Sequence, residues 1–404
     1  MARFEPFAGI RYDTDRVAMV DVTAPPYDVI DAEDRARLAA RSPYNVVLVD
    51  CPVPTTPAAG PDDDCYLEAG ARFASWHHDG ILRTDHEPCL YPYRMSFVDA
   101  DGVPRSTLGA LGALELMAPG TGDVLPHEHT TPKARSDRLR LLRATAANLS
   151  PVWGLSLAPG LTELVSPEGP PVATWSDDEG VEHALWRMRD PVPIARVSNA
   201  VAGAPVVIAD GHHRYETSLA YRDERRAGAG GTPGGYDLTL AYVVELTDAQ
   251  LTVAPIHRLL RGLPDRFDPL DALARWFEVG AAGPPASPAL VSRMVDDGAL
   301  ALVLPGGSWL LHPRPDAFGG AADLDSSRLD LALAAFPPHE LAFQHGVDHV
   351  RRALEDGTAD AGVLLRPASV AQIAEVARAR DRMPPKTTFF WPKVRTGLVF
   401  RTLG

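Results

Sequence analysis

Asp210-Gly211-His212-His213-Arg214 puts an acid, a glycine, two imidazoles and a guanidinium in consecutive positions. The apolar run Val206-Val207-Ile208-Ala209 ahead of them reads as a buried strand. Tyr215 to Arg222, with Leu219 and Tyr221 on its apolar side, reads as the first turns of a helix. The group therefore occupies a strand-to-helix junction. Glycine there lets the chain turn sharply and a ligand come close to the backbone. The N–H groups that open a helix, with the dipole behind them, favour an anion, and Arg214 adds a planar fork suited to phosphate oxygens. This pattern predicts a phosphate site with acid–base groups beside it. Gly211, His213 and Arg214 are the expected phosphate ligands, Asp210, His212 and His213 the expected catalytic groups, and Asp210 also the acid facing a metal ion. The structural alternative makes Asp210 an N-cap and the next three residues a solvated first turn. It explains one residue of the five, and cations at a helix N-terminus oppose the dipole by roughly 0.3–1 kcal/mol each.

A second stretch, Pro126-His127-Glu128-His129-Thr130 followed by Lys133, Asp137 and Arg138, reads as a proline-flanked loop leading into a helix. Glu128 between two histidines is a candidate general base, a candidate metal ligand, or plain surface polarity. The spacing is not that of a zinc-metallopeptidase helix, which needs two residues between the glutamate and the second histidine. His127, Thr130 and Arg138 join the candidate nucleotide or phosphate ligands.

Further candidates for binding a substrate lie elsewhere. His257-Arg258 follows a strand and a proline, where such a pair is often at the surface. Pro385-Lys386-Thr387-Thr388 with Lys393 offers two lysines and two hydroxyls near a stiff turn, able to grip phosphate or carboxylate. Arg11, Tyr12, Tyr27, Asp28, Tyr44 and Asn45 flank extended proline segments and suit either scaffold or pocket. His345 and His349, four apart, are expected on one helical face, too few for a catalytic zinc site.

The turn also carries a resemblance. An Asp-Gly-His-His-Arg string after an apolar strand resembles the signature of the ParB-like superfamily, which includes the partition protein ParB, sulfiredoxin and the free-serine kinases. The kinases share the string itself. Along its length the chain is similar to the bacterial family known as domain of unknown function 1015, through Pro6 to Tyr12, Ala24 to Ile30, Ser42 to Asn45, Pro126 to Thr130, Asp210 to Glu216, Pro255 to Arg258 and Pro385 to Thr388. The resemblance implies that Glu128 matches the kinases' catalytic glutamate, which takes the proton from an acceptor hydroxyl. Here the two motifs are separated by a longer insertion, of about 80 residues. Phosphoryl transfer independently asks for a carboxylate to orient the hydroxyl, cations to spread charge, and usually Mg²⁺.

The expected function is thus a nucleotide-dependent small-molecule kinase, with ATP or ADP as donor, Mg²⁺ as cofactor and a hydroxyl acceptor such as serine. The alternatives are a nucleotide-responsive regulatory protein without catalysis, and a phosphoester or phosphoanhydride hydrolase. A sulfiredoxin-like reductase is disfavoured, because the turn has histidine where a reactive cysteine would sit.

These groups need elements to position them. Leu67 to Gly80 reads as a helix with Leu67, Ala71, Phe73 and Trp76 near one face. Leu90 to Phe97, Leu108 to Leu116, Val152 to Leu157 and Leu185 to Arg189 read as strands, and Ser136 to Ala146 as a helix. Leu238 to Leu246 reads as a buried strand, with Leu251 to Ile256 as its hairpin partner. Beyond residue 259, helices are expected at Leu270 to Phe277, Ser327 to Phe336 and Ser369 to Arg378. Strands are expected at Leu300 to Leu304, Trp309 to Leu311, Gly362 to Leu365, Phe389-Phe390 and Gly397 to Arg401. The fold class is α+β (mixed α/β), expected as a ParB/sulfiredoxin-like core at 121–258 with an N-terminal α/β region at 1–120 and a C-terminal one at 259–404.

At 404 residues the chain exceeds one ordinary domain, and 45% hydrophobic with 23% charged residues is ordinary globular composition. A formal charge of −14 argues against a general nucleic-acid binder. The three cysteines, unpaired in spacing, point to reduced thiols, and no signal-peptide core or run of about 18 apolar residues is present. A cytoplasmic protein that binds a nucleotide and a small polar metabolite is expected, compatible with a homodimer.

Overall fold

The computed structural model describes residues 1–53, 64–99, 102–126, 132–283, 286–319 and 323–404. The fold is mixed α/β and divides into two units, Met1–Leu251 with Pro392–Gly404, and Thr252–Trp391.

The first unit is built on a nine-stranded sheet. Its strands are β1 (Phe4–Glu5), β2 (Tyr91–Val98), β3 (Pro104–Glu115), β4 (Val124–Pro126), β5 (Val152–Ser156), β6 (Ala173–Ser176), β7 (Glu182–Leu185), β8 (Val206–Asp210) and β9 (Leu238–Glu245). They lie in the order β4-β8-β5-β9-β3-β2-β7-β6, with β1 also on β3. The sheet draws strands from both sides of residue 120. β8 is parallel to β4 and antiparallel to β5, so it is interior, and Val206, Val207, Ile208 and Ala209 are all buried. That is why this stretch is continuously apolar rather than alternating. The helices that bear on the site are α1 (Val47–Asp50), α2 (Asp64–His78), α3 (Pro132–Thr145), α4 (Pro191–Ala202) and α5 (His212–Gly228). Val206, Ile208, Tyr215, Leu219, Val197 and Val243 share one apolar core, which clamps α5 and α4 to the sheet.

The second unit holds an antiparallel seven-stranded sheet, built round β10 (Thr252–Arg261) and extended by β11 (Phe277–Gly283), β12 (Leu300–Leu304), β13 (Gly307–Pro313), β14 (Glu340–His345), β15 (Ala361–Leu364) and β16 (Thr388–Trp391). Helices at Pro288–Asp297 and Val347–Glu355 pack over an apolar cluster that includes Leu290, Met294, Val350 and Leu354.

Several expectations need correction. β10 does not form a hairpin with β9. Both edges of β9 are occupied, by β3 and β5, and β10 pairs instead with β14, β15 and β16. α5 opens at His212, not Tyr215. α2 buries Tyr66, Ala69, Phe73 and Trp76, while Leu67 is exposed. Of the 270–277 stretch only 270–273 is helical, in the short helix Pro269–Leu273, and Phe277 begins β11. The strand expected at 185–189 is β7, which ends at Leu185. His345 and His349 do not share a helix, because His345 ends β14 and Gly346, at φ +73°, separates it from the helix that carries His349. Among the described residues, no helix is long and apolar enough to cross a membrane.

Candidate functional site

The register of β8 against β5 shifts between Ile208 and Asp210, a bulge at the end of the strand. A bulge re-aims the side chain that follows it. The next residue, Gly211, has φ +85° and is the N-cap of α5, with no side-chain cap. A Cβ on Gly211 would lie 2.9 Å from Cζ and Nε of Arg214, so the turn needs glycine for both space and conformation. Asp210 is therefore not the cap that the structural alternative required.

Asp210 instead receives two cations. Lys393 Nζ contacts Oδ1 and Arg214 NH2 contacts Oδ2, both at 2.5 Å. Arg214 comes from the first turn of α5, and Lys393 from the terminal segment that returns to the first unit. Burial by itself would raise the carboxyl, but Lys393 and Arg214 outweigh it and hold Asp210 well below the usual carboxylate range. Arg214 NH1 also donates to the Pro151 carbonyl, so the guanidinium is clamped between β5 and β8. His212 and His213 are half-buried in the same turn. Further along α5, the Tyr215 hydroxyl accepts from Met117 N–H at 2.8 Å and donates to Met117 O at 3.0 Å, anchoring the helix to the chain leaving β3.

Behind Arg214 lies a cavity of about 50 Å³, lined among others by Tyr27, Asp50, Arg138, Ser150, Arg214 and Thr217. Arg138 is buried and donates to the Asp50 carbonyl at 2.7 Å and to its carboxylate at 3.2 Å. Its Nε donates to Asp137 at 2.8 Å, and its guanidinium lies 4.2 Å from the Tyr27 ring centre. Burial pushes the Tyr27 hydroxyl up to about 12 and raises the Asp50 carboxyl, despite the two arginines beside it.

The remaining expected residues are distributed as follows. His127, Glu128 and Thr130 lie outside the described residues. Asp28 is exposed, next to Tyr27 in a short 3-10 turn. Asn45 is buried, and the bonds it makes are to backbone, from Nδ2 to Asp21 O and from Val47 N–H to Oδ1. His257 and Arg258 belong to the second unit and are fully buried in β10, not at the surface. His257 Nδ1 accepts from Leu365 N–H at 3.2 Å, and burial lowers its pKa to about 4. Arg258 donates to the carbonyls of Ile256, Lys386 and Pro385. Lys386, at φ +58°, and buried Thr387 therefore frame Arg258 in the second unit, whereas Lys393 belongs to the first. Sequence reasoning misses Asp50 and Thr217. Asp50 closes the apolar turn Val47-Leu48-Val49, and an acid ending such a run is the one signal that could mark it.

The sequence pattern assigns Mg²⁺ to Asp210. Among the described residues no three His, Cys, Asp or Glu side chains converge, and both Asp210 oxygens are held by cations. The described donors do not fit a metal held by the protein at that carboxylate.

The model of a family described as "Protein of unknown function (DUF1015)" matches residues 4–332. No curated protein matches the chain. Among solved structures, a conserved hypothetical protein from Pyrococcus furiosus is 14% identical with a TM-score of 0.35, covering 67% of this chain and 89% of its own. A free serine kinase in complex with AMP is 14% identical with a TM-score of 0.35, covering 66% and 83% respectively. SbnI with a C-terminal truncation, from Staphylococcus aureus, is 12% identical with a TM-score of 0.38, covering 69% and 82%.

Proposed function

This chain belongs to the DUF1015 family, proteins of unknown function, and from the chemistry of its site we propose that it is a nucleotide-dependent phosphotransferase acting on a hydroxyl. The observation that carries the reading is the Arg214–Asp210–Lys393 cluster at the opening of a 17-residue helix. Two cations from distant parts of the chain are brought together at a glycine turn where the helix dipole already favours an anion. Asp210 holds both in place, and the phosphates of ATP or ADP are their ligand. Net positive charge at that point is what a transferring phosphoryl group needs, since its transition state spreads negative charge over the non-bridging oxygens. His212 and His213 border the same turn and contribute donors to the phosphates.

Glu128 is the proposed general base, on the strength of its resemblance to the glutamate of the free-serine kinases. It takes the proton of the acceptor hydroxyl as the oxygen attacks the terminal phosphorus. The P–O bond to the nucleotide breaks as the new one forms, and the nucleotide leaves one phosphate shorter. Any Mg²⁺ would enter as the nucleotide complex rather than through Asp210.

Calorimetric titration of the full chain with ATP and ADP, with and without Mg²⁺, tests the reading. Wild type should bind one of them, and Arg214→Ala should weaken binding at least tenfold. Absence of binding by wild type overturns the proposal.

A further inference from the structure

Tyr93, His183, Asp177 and Arg395 form a buried polar circuit in the first unit that the proposed chemistry does not use. The Tyr93 hydroxyl lies 2.7 Å from His183 Nδ1, and His183 Nε2 lies 3.0 Å from Asp177 Oδ2. Burial by itself would raise the Asp177 carboxyl, but His183, the Val181 N–H and Arg395 outweigh it and hold it below its usual value. Burial lowers the His183 pKa. The carboxylate therefore accepts from Nε2, which leaves Nδ1 to accept from the Tyr93 hydroxyl.

Neighbouring strands assemble these groups. His183 on β7 is opposite Trp175 on β6 and diagonal to Tyr93 on β2, so the three rings share one face. Trp175 stacks on the imidazole with ring centres 4.8 Å apart. Asp177 Oδ1 accepts from the N–H groups of Glu179 and Val181, so the turn between β6 and β7 fixes the carboxylate. The order hydroxyl, imidazole, carboxylate is that of a nucleophile and its base. Tyr93 is 0% exposed and His183 2%, however, so no substrate reaches them.

The far end of the circuit is Arg395. Its NH1 lies 3.5 Å from Asp177 Oδ2, and both its main chain and its charge act on the Tyr93 oxygen. Lys393 comes two residues earlier. Residues 392–395 form neither helix nor strand, so no backbone ladder places that lysine. Thr396 pairs with Ala24, and Arg395 is the buried charged anchor between that bridge and Lys393. Separating a buried cation from its carboxylate is strongly unfavourable, so Arg395 stays in place and limits where Lys393 can reach.

We propose that Tyr93, His183 and Asp177 are positioning residues, which act through Arg395 to hold Lys393 against Asp210 and so set nucleotide affinity. The inference rests on the phosphotransferase reading for the ligand only, because the placement of Lys393 is a property of the free protein.

Tyr93→Phe keeps the ring and removes the hydroxyl, and Arg395→Gln removes the charge at the other end. In calorimetry on the full chain each variant should bind ATP or ADP at least about threefold more weakly, a modest coupling between neighbours. In a Lys393→Ala background neither substitution should weaken binding further, whereas a purely structural role would lower affinity by the same factor in both backgrounds. Lys133, Lys386 and Lys393 are the lysines of the chain, so isotopic labelling of lysine gives a simple NMR spectrum. The Cε signal of Lys393, assigned by its loss in Lys393→Ala, should shift in both variants while the other lysine signals stay. Unchanged affinity in both variants overturns the inference, as do equal losses in both backgrounds or an unmoved Lys393 signal. Arg395→Gln carries the test should Tyr93→Phe fail to fold. If wild type binds neither ATP nor ADP, the phosphotransferase reading falls and the Lys393 signal alone decides the positioning.

Discussion

Lys393 and Asp210 stand 183 residues apart in the chain and meet as an ion pair. Asp210 sits on a bulge at the end of an interior strand, and Lys393 on the segment that returns to the first unit after the second is complete. With Arg214 on the other carboxylate oxygen, the cluster carries one net positive charge, aligned with the opening of α5.

Lys393→Ala should weaken ATP or ADP binding as Arg214→Ala does, by about tenfold or more, because charge-assisted contacts to phosphate are worth about 1.5–3 kcal/mol. Titrating Lys393→Ala beside Lys386→Ala separates the two lysines. The second should bind normally, since Lys386 sits in the turn whose carbonyls hold Arg258. Equal loss in both variants would contradict the assignment.

Asp210→Asn should destabilise the fold at neutral pH, on the order of 3–5 kcal/mol, since it removes the shared partner of two largely buried cations. The folded-state pKa of Asp210 is depressed. Its stabilisation is therefore complete above the unfolded value of about 3.9, and is lost as pH falls from there through the folded value. Urea midpoints at pH 7 and pH 3 check this: the gap between wild type and variant should narrow at the lower pH.

Gly211→Ala should cost about 1–2 kcal/mol for the left-handed backbone alone, and more as the new methyl pushes on Arg214. Thermal unfolding should show the loss, and nucleotide affinity should fall with it. A variant with unchanged melting temperature and unchanged affinity would mean that the turn relaxes without moving Arg214.

Glu128→Gln should slow phosphoryl transfer by roughly 10²–10⁴-fold, the usual contribution of a general base, while nucleotide binding stays near normal. A coupled assay of product formation, run beside calorimetry, distinguishes a base from a binding residue. Loss of binding would remove Glu128 from the assigned role.

His257 makes the second unit sensitive to acid. Burial holds its folded pKa near 4, against about 6.5 unfolded, so its contribution is complete above pH 6.5 and is lost as pH falls toward 4. The loss should approach about 3 kcal/mol. His257→Asn can still accept from Leu365 N–H but does not titrate, so its denaturant midpoint should vary less between pH 7 and pH 4 than that of wild type. Parallel pH profiles would disprove the effect.

The local parts of this arrangement are legible in the chain. Four consecutive apolar residues before Asp210-Gly211 announce an interior strand and a sharp turn, and the leucine and tyrosines that follow announce the buried face of α5. Strands β12, β13 and β15 and the helix Val370–Arg378 are equally plain, because periodicity and capping residues act within a few positions. Partner choice is not legible. The apolar run Leu238–Glu245 says that the strand is buried and not which strands lie alongside, so the expected hairpin with β10 gives way to pairing with β3 and β5. His257-Arg258 looks like a surface pair because nothing nearby in sequence reveals that β14, β15 and β16 close over β10.

The chemistry available at the turn is written in consecutive residues. The acid, the glycine, the imidazoles and the guanidinium are neighbours along the chain, and short-range sterics and the helix dipole act on neighbours. What completes that turn comes from the three-dimensional packing. Lys393 reaches Asp210, and Asp50, Arg138 and Thr217 surround the void behind Arg214, through contacts between residues dozens to hundreds of positions apart. Such contacts are selected by the packing of the whole sheet and its helices, and no local pattern encodes them.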